Sequence, residues 1–104
     1  MHFTGTGTKA MIQYNGFWIS GIAVPGPPYK EYWTPGGAVL FQRPNHSVVE
    51  LVRFNLESFE LEDQGVAALF GLELARLVVD TSYTDLVTMQ RNSERRTSQP
   101  RYRP

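Results

Sequence analysis

The sequence predicts an α+β fold: a small antiparallel sheet, made of a β-hairpin plus two or three further strands, packed by one long apolar helix and followed by a disordered C-terminal tail. Three observations predict it. Two runs of β-forming residues flank Asn15-Gly16, residues 61–80 are apolar around most of a helical wheel, and residues 91–104 hold five arginines and no aliphatic residue.

The hairpin comes first. Ala10, Ile12 and Tyr14 alternate with Lys9, Met11 and Gln13, which is the period of a strand. Asn-Gly then supplies the two residues that tolerate positive φ in a type I′ turn, and residues 17–24 resume the β pattern. Tyr14 and Phe17 face each other across that turn as an aromatic pair. Residues 25–37 carry four of the seven prolines and three of the nine glycines, and read as a long loop presenting Tyr29, Tyr32 and Trp33. Loops of this length tend to be functional. Its aromatic residues are candidates either for anchors at a contact surface or for a staple over the sheet. Pro25-Gly26-Pro27-Pro28-Tyr29-Lys30 has the outline of a polyproline ligand, but strands close it at both ends. A third strand follows at 38–42, turn chemistry at 43–47, and a fourth strand at 48–56 with Phe54 and Leu56 inward. An SH3-like barrel is the competing arrangement; it leaves the long apolar helix poorly covered, so the open sheet is preferred.

The helix expected over 61–80 places Glu62 and Asp63 in its first turn, where carboxylates complement the dipole. Glu73, Arg76 and Asp80 fall on one narrow polar stripe at ladder spacing. Nearly all the rest is apolar or small, so the helix is expected to be covered on more than one side. Ala67, Gly71 and Ala75 recur every four residues, with Leu72 and Val79 beside them. This row is the candidate interaction face, packing either on the chain's own sheet or on the helix of a second copy or partner. Residues 83–89 read as a strand from their Thr and Val, with Leu86, Val87 and Gln90 allowing a short helix instead.

A chain of 104 residues fits one domain, here 1–90 with a loose lead-in at 1–7, plus the tail at 91–104. There is no cysteine, which excludes disulfides and thiolate chemistry and, with no signal-peptide pattern at the N-terminus, points to the cytoplasm. The longest apolar stretch, 66–79, is too short to span a bilayer and is broken by Glu73 and Arg76. Net charge is zero but unevenly spread. Residues 91–104 carry five arginines against one glutamate, net +4, while residues 1–90 carry five basic against nine acidic groups, net −4.

Motifs for chemistry are sparse. Gly5-Thr6-Gly7-Thr8-Lys9-Ala10 has the outline of a phosphate loop, yet no strand precedes it, no Gly precedes the Lys, and Ala10 stands where a magnesium-binding hydroxyl belongs. His2 and His46 are the only histidines and have no second ligand at metal spacing, so no metal and no cofactor are expected. His46 beside Glu50 is the one candidate for general-base work; a solvated turn histidine is the plainer reading. No Gly-x-Ser-x-Gly elbow occurs. Arg91, Arg95, Arg96, Arg101 and Arg103 with Tyr102 have the chemistry to neutralise phosphates and stack on a base, against the plainer reading of a solubilising tail.

The sequence therefore leads to a non-enzymatic protein–protein interaction or regulatory module, self-associating as a homodimer through residues 61–80. The alternatives are a nucleic-acid-associated protein using the arginine tail and a small enzyme with a site near His46 and Glu50.

Overall fold

The computed structural model describes residues 9–26 and 31–98, as backbone alone at Lys9 and 95–98. Four strands, β1 (Lys9–Tyr14), β2 (Phe17–Pro25), β3 (Trp33–Gln42) and β4 (Val48–Asn55), form one antiparallel sheet in the order β1-β2-β3-β4. Two helices follow, α1 (Gln64–Thr81) and α2 (Tyr83–Ser98). The α+β expectation holds, with a second helix where the sequence reading preferred a strand at 83–89 over a short helix.

The hairpin forms as its sequence dictates. Asn15 and Gly16 take φ of 50° and 88°, and Tyr14 lies opposite Phe17. Because side chains on a strand alternate between faces, Phe17, Ile19, Gly21 and Ala23 of β2 lie on the face toward α1. Their register partners Phe41, Val39, Gly37 and Pro35 of β3 share that face.

The expected 25–37 loop is shorter than predicted. Strand β2 runs on to Pro25, and β3 begins at Trp33, so Trp33, Thr34, Pro35, Gly36 and Gly37 are strand residues. Pro35 is tolerated for a local reason. Its carbonyl accepts from Leu56 N at 2.9 Å, so its nitrogen points to the same side, just past the last β3–β4 pair at Gly36 and Asn55. The missing N–H therefore forfeits only the return bond to Leu56, beyond the last residue of β4. Between Val39 and Leu40 the β3–β4 register shifts at a bulge, which leaves Leu51 and Val52 both half-buried.

The helix begins later than predicted. Asp63 is its N-cap, the carboxylate accepting from Val66 N at 2.9 Å, rather than a first-turn residue. Leu61 lies outside the helix and pairs through its backbone with Trp33 in an isolated bridge.

Helix α1 packs on the sheet backbone against backbone. A Cβ at Gly71 would collide with the Gly36 carbonyl, one at Gly21 with the Ala68 carbonyl, and one at Gly37 would lie 2.6 Å from Ser20 O and 3.0 Å from Gly71 O. Only glycine fits these three positions. Ala67, Ala68 and Ala75 flank the contact with no more than 1% exposure, and Leu72 and Val79 complete the buried side.

Residues 83–89 are helical, not a strand, and the helix continues through 91–98, where a disordered tail was expected. Ser82 alone breaks the two helices: its N–H donates to Val78 O, closing α1, and its carbonyl accepts from Leu86 N, opening α2. Leu86, 1% exposed, then closes the end of the core beside Phe17, Phe41 and Val79, while Tyr83 meets Phe17 edge-on at 6.0 Å. This burial overrides the strand preference of Thr84, Val87 and Thr88. Farther along, Ser93 Oγ accepts from Arg43 Nη2 at 3.2 Å, which ties α2 to the β3–β4 turn. Residues 1–7 and 99–104 lie outside the described residues.

Two substitutions test this packing. Gly→Ala inside a helix ordinarily stabilises by about 1 kcal/mol. At Gly71 the sign reverses, because the new methyl meets backbone that cannot swing aside, and a loss of roughly 3 kcal/mol is expected in urea unfolding. Gly65→Ala, where a Cβ meets only Asp63 Oδ1 at 3.3 Å, shifts stability by less than about 1 kcal/mol. Leu86→Ala costs roughly 2–4 kcal/mol and undocks α2, read as lost helical circular dichroism well below the unfolding midpoint.

Candidate interaction surface

Helix α1 has two different sides. The inward side is mostly small, as the glycine contact requires, and every residue proposed from the sequence as the interaction row is on it. Ala67, Gly71, Leu72, Ala75 and Val79 are all buried against the chain's own sheet or core. The large apolar side chains consequently point the other way. Val66, Leu69 and Leu77 are 49%, 58% and 54% exposed, and Phe70 is half-buried beside them. Phe59, from the segment between β4 and α1, joins this outer stripe by meeting the Phe70 ring edge-on at 5.4 Å. Val66, Leu69, Phe70 and Glu73 line a shallow depression of ≈ 340 Å³.

A polar strip borders the stripe. Arg76 Nη2 lies 3.5 Å from Glu73 Oε2, and the Arg76 guanidinium sits over the Tyr14 ring, 5.3 Å from its centre. Asp80 does not extend a Glu-Arg-Asp ladder in this structure. Its carboxylate instead accepts a 2.7 Å hydrogen bond from the Tyr14 hydroxyl, joining β1 to the end of α1. That bond holds the proton on the phenol and raises the Tyr14 pKa above its ordinary value, with desolvation and the negative charge of Asp80 adding to the effect.

Among the described residues no helix covers the opposite face of the sheet. Met11, Trp18, Leu40, Gln42 and Val48 line a depression of ≈ 240 Å³ there. On the same face Arg53 Nη2 pairs with Glu50 Oε2 at 2.7 Å, a bond that favours the charged guanidinium and raises its pKa.

The remaining sequence candidates do not converge. Trp33 is a partly buried strand residue packed against Ala23, Ala67 and Ala68, so it serves the core rather than a loop surface. Tyr32 is half-buried and accepts from Gly26 N through its carbonyl at 3.0 Å, while its ring covers Gly26. Tyr29 lies outside the described residues. His46 takes φ of 72° in the β3–β4 turn, and both it and Glu50 are exposed, with Glu50 engaged by Arg53. Arg91 is exposed on α2; Arg95 and Arg96 are described by backbone alone, and Arg101, Tyr102 and Arg103 lie outside the described residues. Among the described residues no three His, Cys, Asp or Glu side chains gather as metal ligands would, and no helix is long and apolar enough to cross a membrane.

Compared with known proteins, the chain matches no family model, no curated protein and no solved structure.

The outer stripe of α1 was within reach of sequence reasoning. Once the small row is assigned to the sheet, Val66, Leu69, Phe70 and Leu77 fall on the far side of the wheel. Phe59 was not, because its place depends on the path of the segment before α1.

The Tyr14–Asp80 bond sets a pH dependence. A phenol with a raised folded-state pKa gives its full stabilisation below about pH 10, the unfolded value, and loses it as pH climbs through the folded value. The absorbance change at 295 nm lost on Tyr14→Phe therefore titrates above the ordinary tyrosine range, and Asp80→Ala moves it back down. An unchanged titration in Asp80→Ala would show that the bond does not form in solution.

Proposed function

We propose that this protein is a non-enzymatic interaction or regulatory module that docks a protein through the outer side of α1. One observation carries the reading. Val66, Leu69 and Phe70, joined by Phe59, form an exposed apolar patch, with Leu77 on the same side beyond Glu73, outside a helix whose opposite side is already satisfied by the sheet. Apolar side chains at i, i+3 and i+4 on one exposed helix face match the first anchors of a helix that packs into a partner's groove, and Glu73 stands at the i+7 position. Exposed apolar surface bordered by charge marks contact sites on soluble proteins, and here Arg76 and Asp80 border it while Glu73 lies within it. The self-association first assigned to Ala67, Gly71 and Ala75 moves in this reading to the other side of the same helix. As part of the proposal the module works in the cytoplasm, in keeping with the absence of cysteine.

Position-specific photocrosslinking of the full chain in an extract of its source cells tests the face. A photoreactive residue replacing Leu69 or Leu77 gives a discrete higher-mass product, whereas one replacing Thr84 on the exposed side of α2 gives none. Equal products from all three positions, or none from Leu69 and Leu77, overturn the reading. The nucleic-acid alternative predicts a different result: steeply salt-dependent binding of oligonucleotides that is lost on truncation after Gln90.

A further inference from the structure

We propose that the outer edge of β1 pairs with β1 of a second copy of this chain, antiparallel about a two-fold axis at Ile12, so that two four-stranded sheets join into one. The contact is separate from the α1 face and does not rest on it.

The hairpin fixes which backbone groups are on offer. In an antiparallel pair, alternate residues turn their N–H and C=O toward the neighbouring strand. Tyr14 and Phe17 close the two-residue turn and exchange hydrogen bonds, as do Ile12 with Ile19 and Ala10 with Gly21. The N–H and C=O of Met11 and Gln13 therefore point away from β2. β1 is an end strand of the sheet, and among the described residues no strand lies beyond it. A row of donors and acceptors at strand spacing is matched by another extended backbone.

The two edges of the sheet differ. β4, the other end strand, has the bulge opposite Val39 and Leu40, the exposed charges of Glu50 and Arg53, and α2 tied near its start through Arg43 and Ser93. Those are features by which proteins block an edge. Residues 10–14 of β1 have no charge, no proline and an unbroken register with β2. α1 leaves this edge open, since its close approach is to Gly21 of β2 and to Gly36 and Gly37 of β3. Ile12 on the helix side is consequently 37% exposed, and Met11 on the other side 43%. A strand laid alongside buries apolar surface on both faces of the sheet at once.

What selects a second copy is the order of side-chain sizes. Ala10, Ile12 and Tyr14 share the helix side by strand alternation, with Ala10 and Tyr14 packed against the core. In the antiparallel pairing centred on Ile12, the small Ala10 of one copy lies opposite the large Tyr14 of the other, and Ile12 meets Ile12. On the other side Met11 lies opposite Gln13, and these pairs exchange the backbone hydrogen bonds. Ile12 meets its mate at a pair without such bonds, where side chains come closest. Lys9 falls opposite Asn15, so no like charges meet. A parallel in-register pairing instead sets Tyr14 on Tyr14 and Lys9 on Lys9.

The test uses the purified full chain and reads the dimer dissociation constant by sedimentation and light scattering. The wild type dimerises with little dependence on salt, because the contact is made of backbone bonds and uncharged side chains. Gln13→Pro weakens the dimer by about tenfold or more. It leaves the fold intact in far-ultraviolet circular dichroism, because the N–H it removes points away from β2. Ile12→Lys, at an exposed position, weakens the dimer as much by opposing two like charges. Mixing Ile12→Lys with Ile12→Glu restores a mixed dimer, since at the two-fold axis a residue meets its own copy. In a chain with no cysteine, Ile12→Cys is oxidised by diamide to a disulfide-linked dimer, as a Cα separation of about 4.5 Å permits. Val48→Cys, on the far edge, is not. A wild type that stays monomeric up to its solubility limit overturns the second copy. Self-association untouched by Gln13→Pro and Ile12→Lys overturns the edge as the contact; if Leu69→Lys abolishes it, the α1 docking face still stands. A mixture of the Lys and Glu variants that stays monomeric overturns the pairing about Ile12.

Discussion

Helix α1 rests on strands β2 and β3 with no side chain between the two backbones at Gly21, Gly36, Gly37 and Gly71, and the remaining architecture follows from that approach. Close contact removes the space that Leu or Phe would fill on the inward side of the helix. Ala67, Ala68 and Ala75 therefore occupy it, and the larger Leu72 and Val79 are admitted where they flank or pass the contact. The same closeness displaces the large apolar residues of α1 to its outer side. A helix apolar all round is thus explained without a second covering layer inside the chain. Small residues face the sheet because there is no room, and large ones face outward, where nothing among the described residues covers them.

The core that results is unevenly built. Around the glycines it is thin and made of backbone, Ala and Gly. Toward the hairpin end it thickens into Phe17, Ile19, Val39 and Phe41, which are too large to be closed off by α1 alone. Leu86 supplies the missing closure, and the single non-helical residue Ser82 redirects the chain so that it can. One buried side chain, with Val87 partly buried beside it, therefore holds a helix whose other described residues are largely polar and exposed. Such a helix is governed by docking more than by its own propensity.

The position of α2 is fixed at two points, by Leu86 in the core and by Ser93 at the β3–β4 turn. At its start the exposed charges are the carboxylates of Asp80 and Asp85, and Arg91 follows farther along the helix.

Local chemistry in the sequence was enough to determine the hairpin, since Asn15-Gly16 sets its own backbone and the alternation on either side sets the faces. It was also enough for the existence of α1, whose apolar content and small-residue row do not depend on neighbours. Tertiary structure decided the rest. Pro35-Gly36-Gly37 reads as a breaker by local rules, yet it is strand because Pro35 sits just past the end of β4 and because glycines are what the helix backbone demands. Residues 83–98 read as strand and tail because Thr and Val favour strands and arginine-rich runs resist burial. They are helix because the open end of an aromatic core needed Leu86. The candidate site divides in the same way. Which residues of α1 are apolar is written in the chain, but which of them are left facing outward was fixed only when the sheet took the small side.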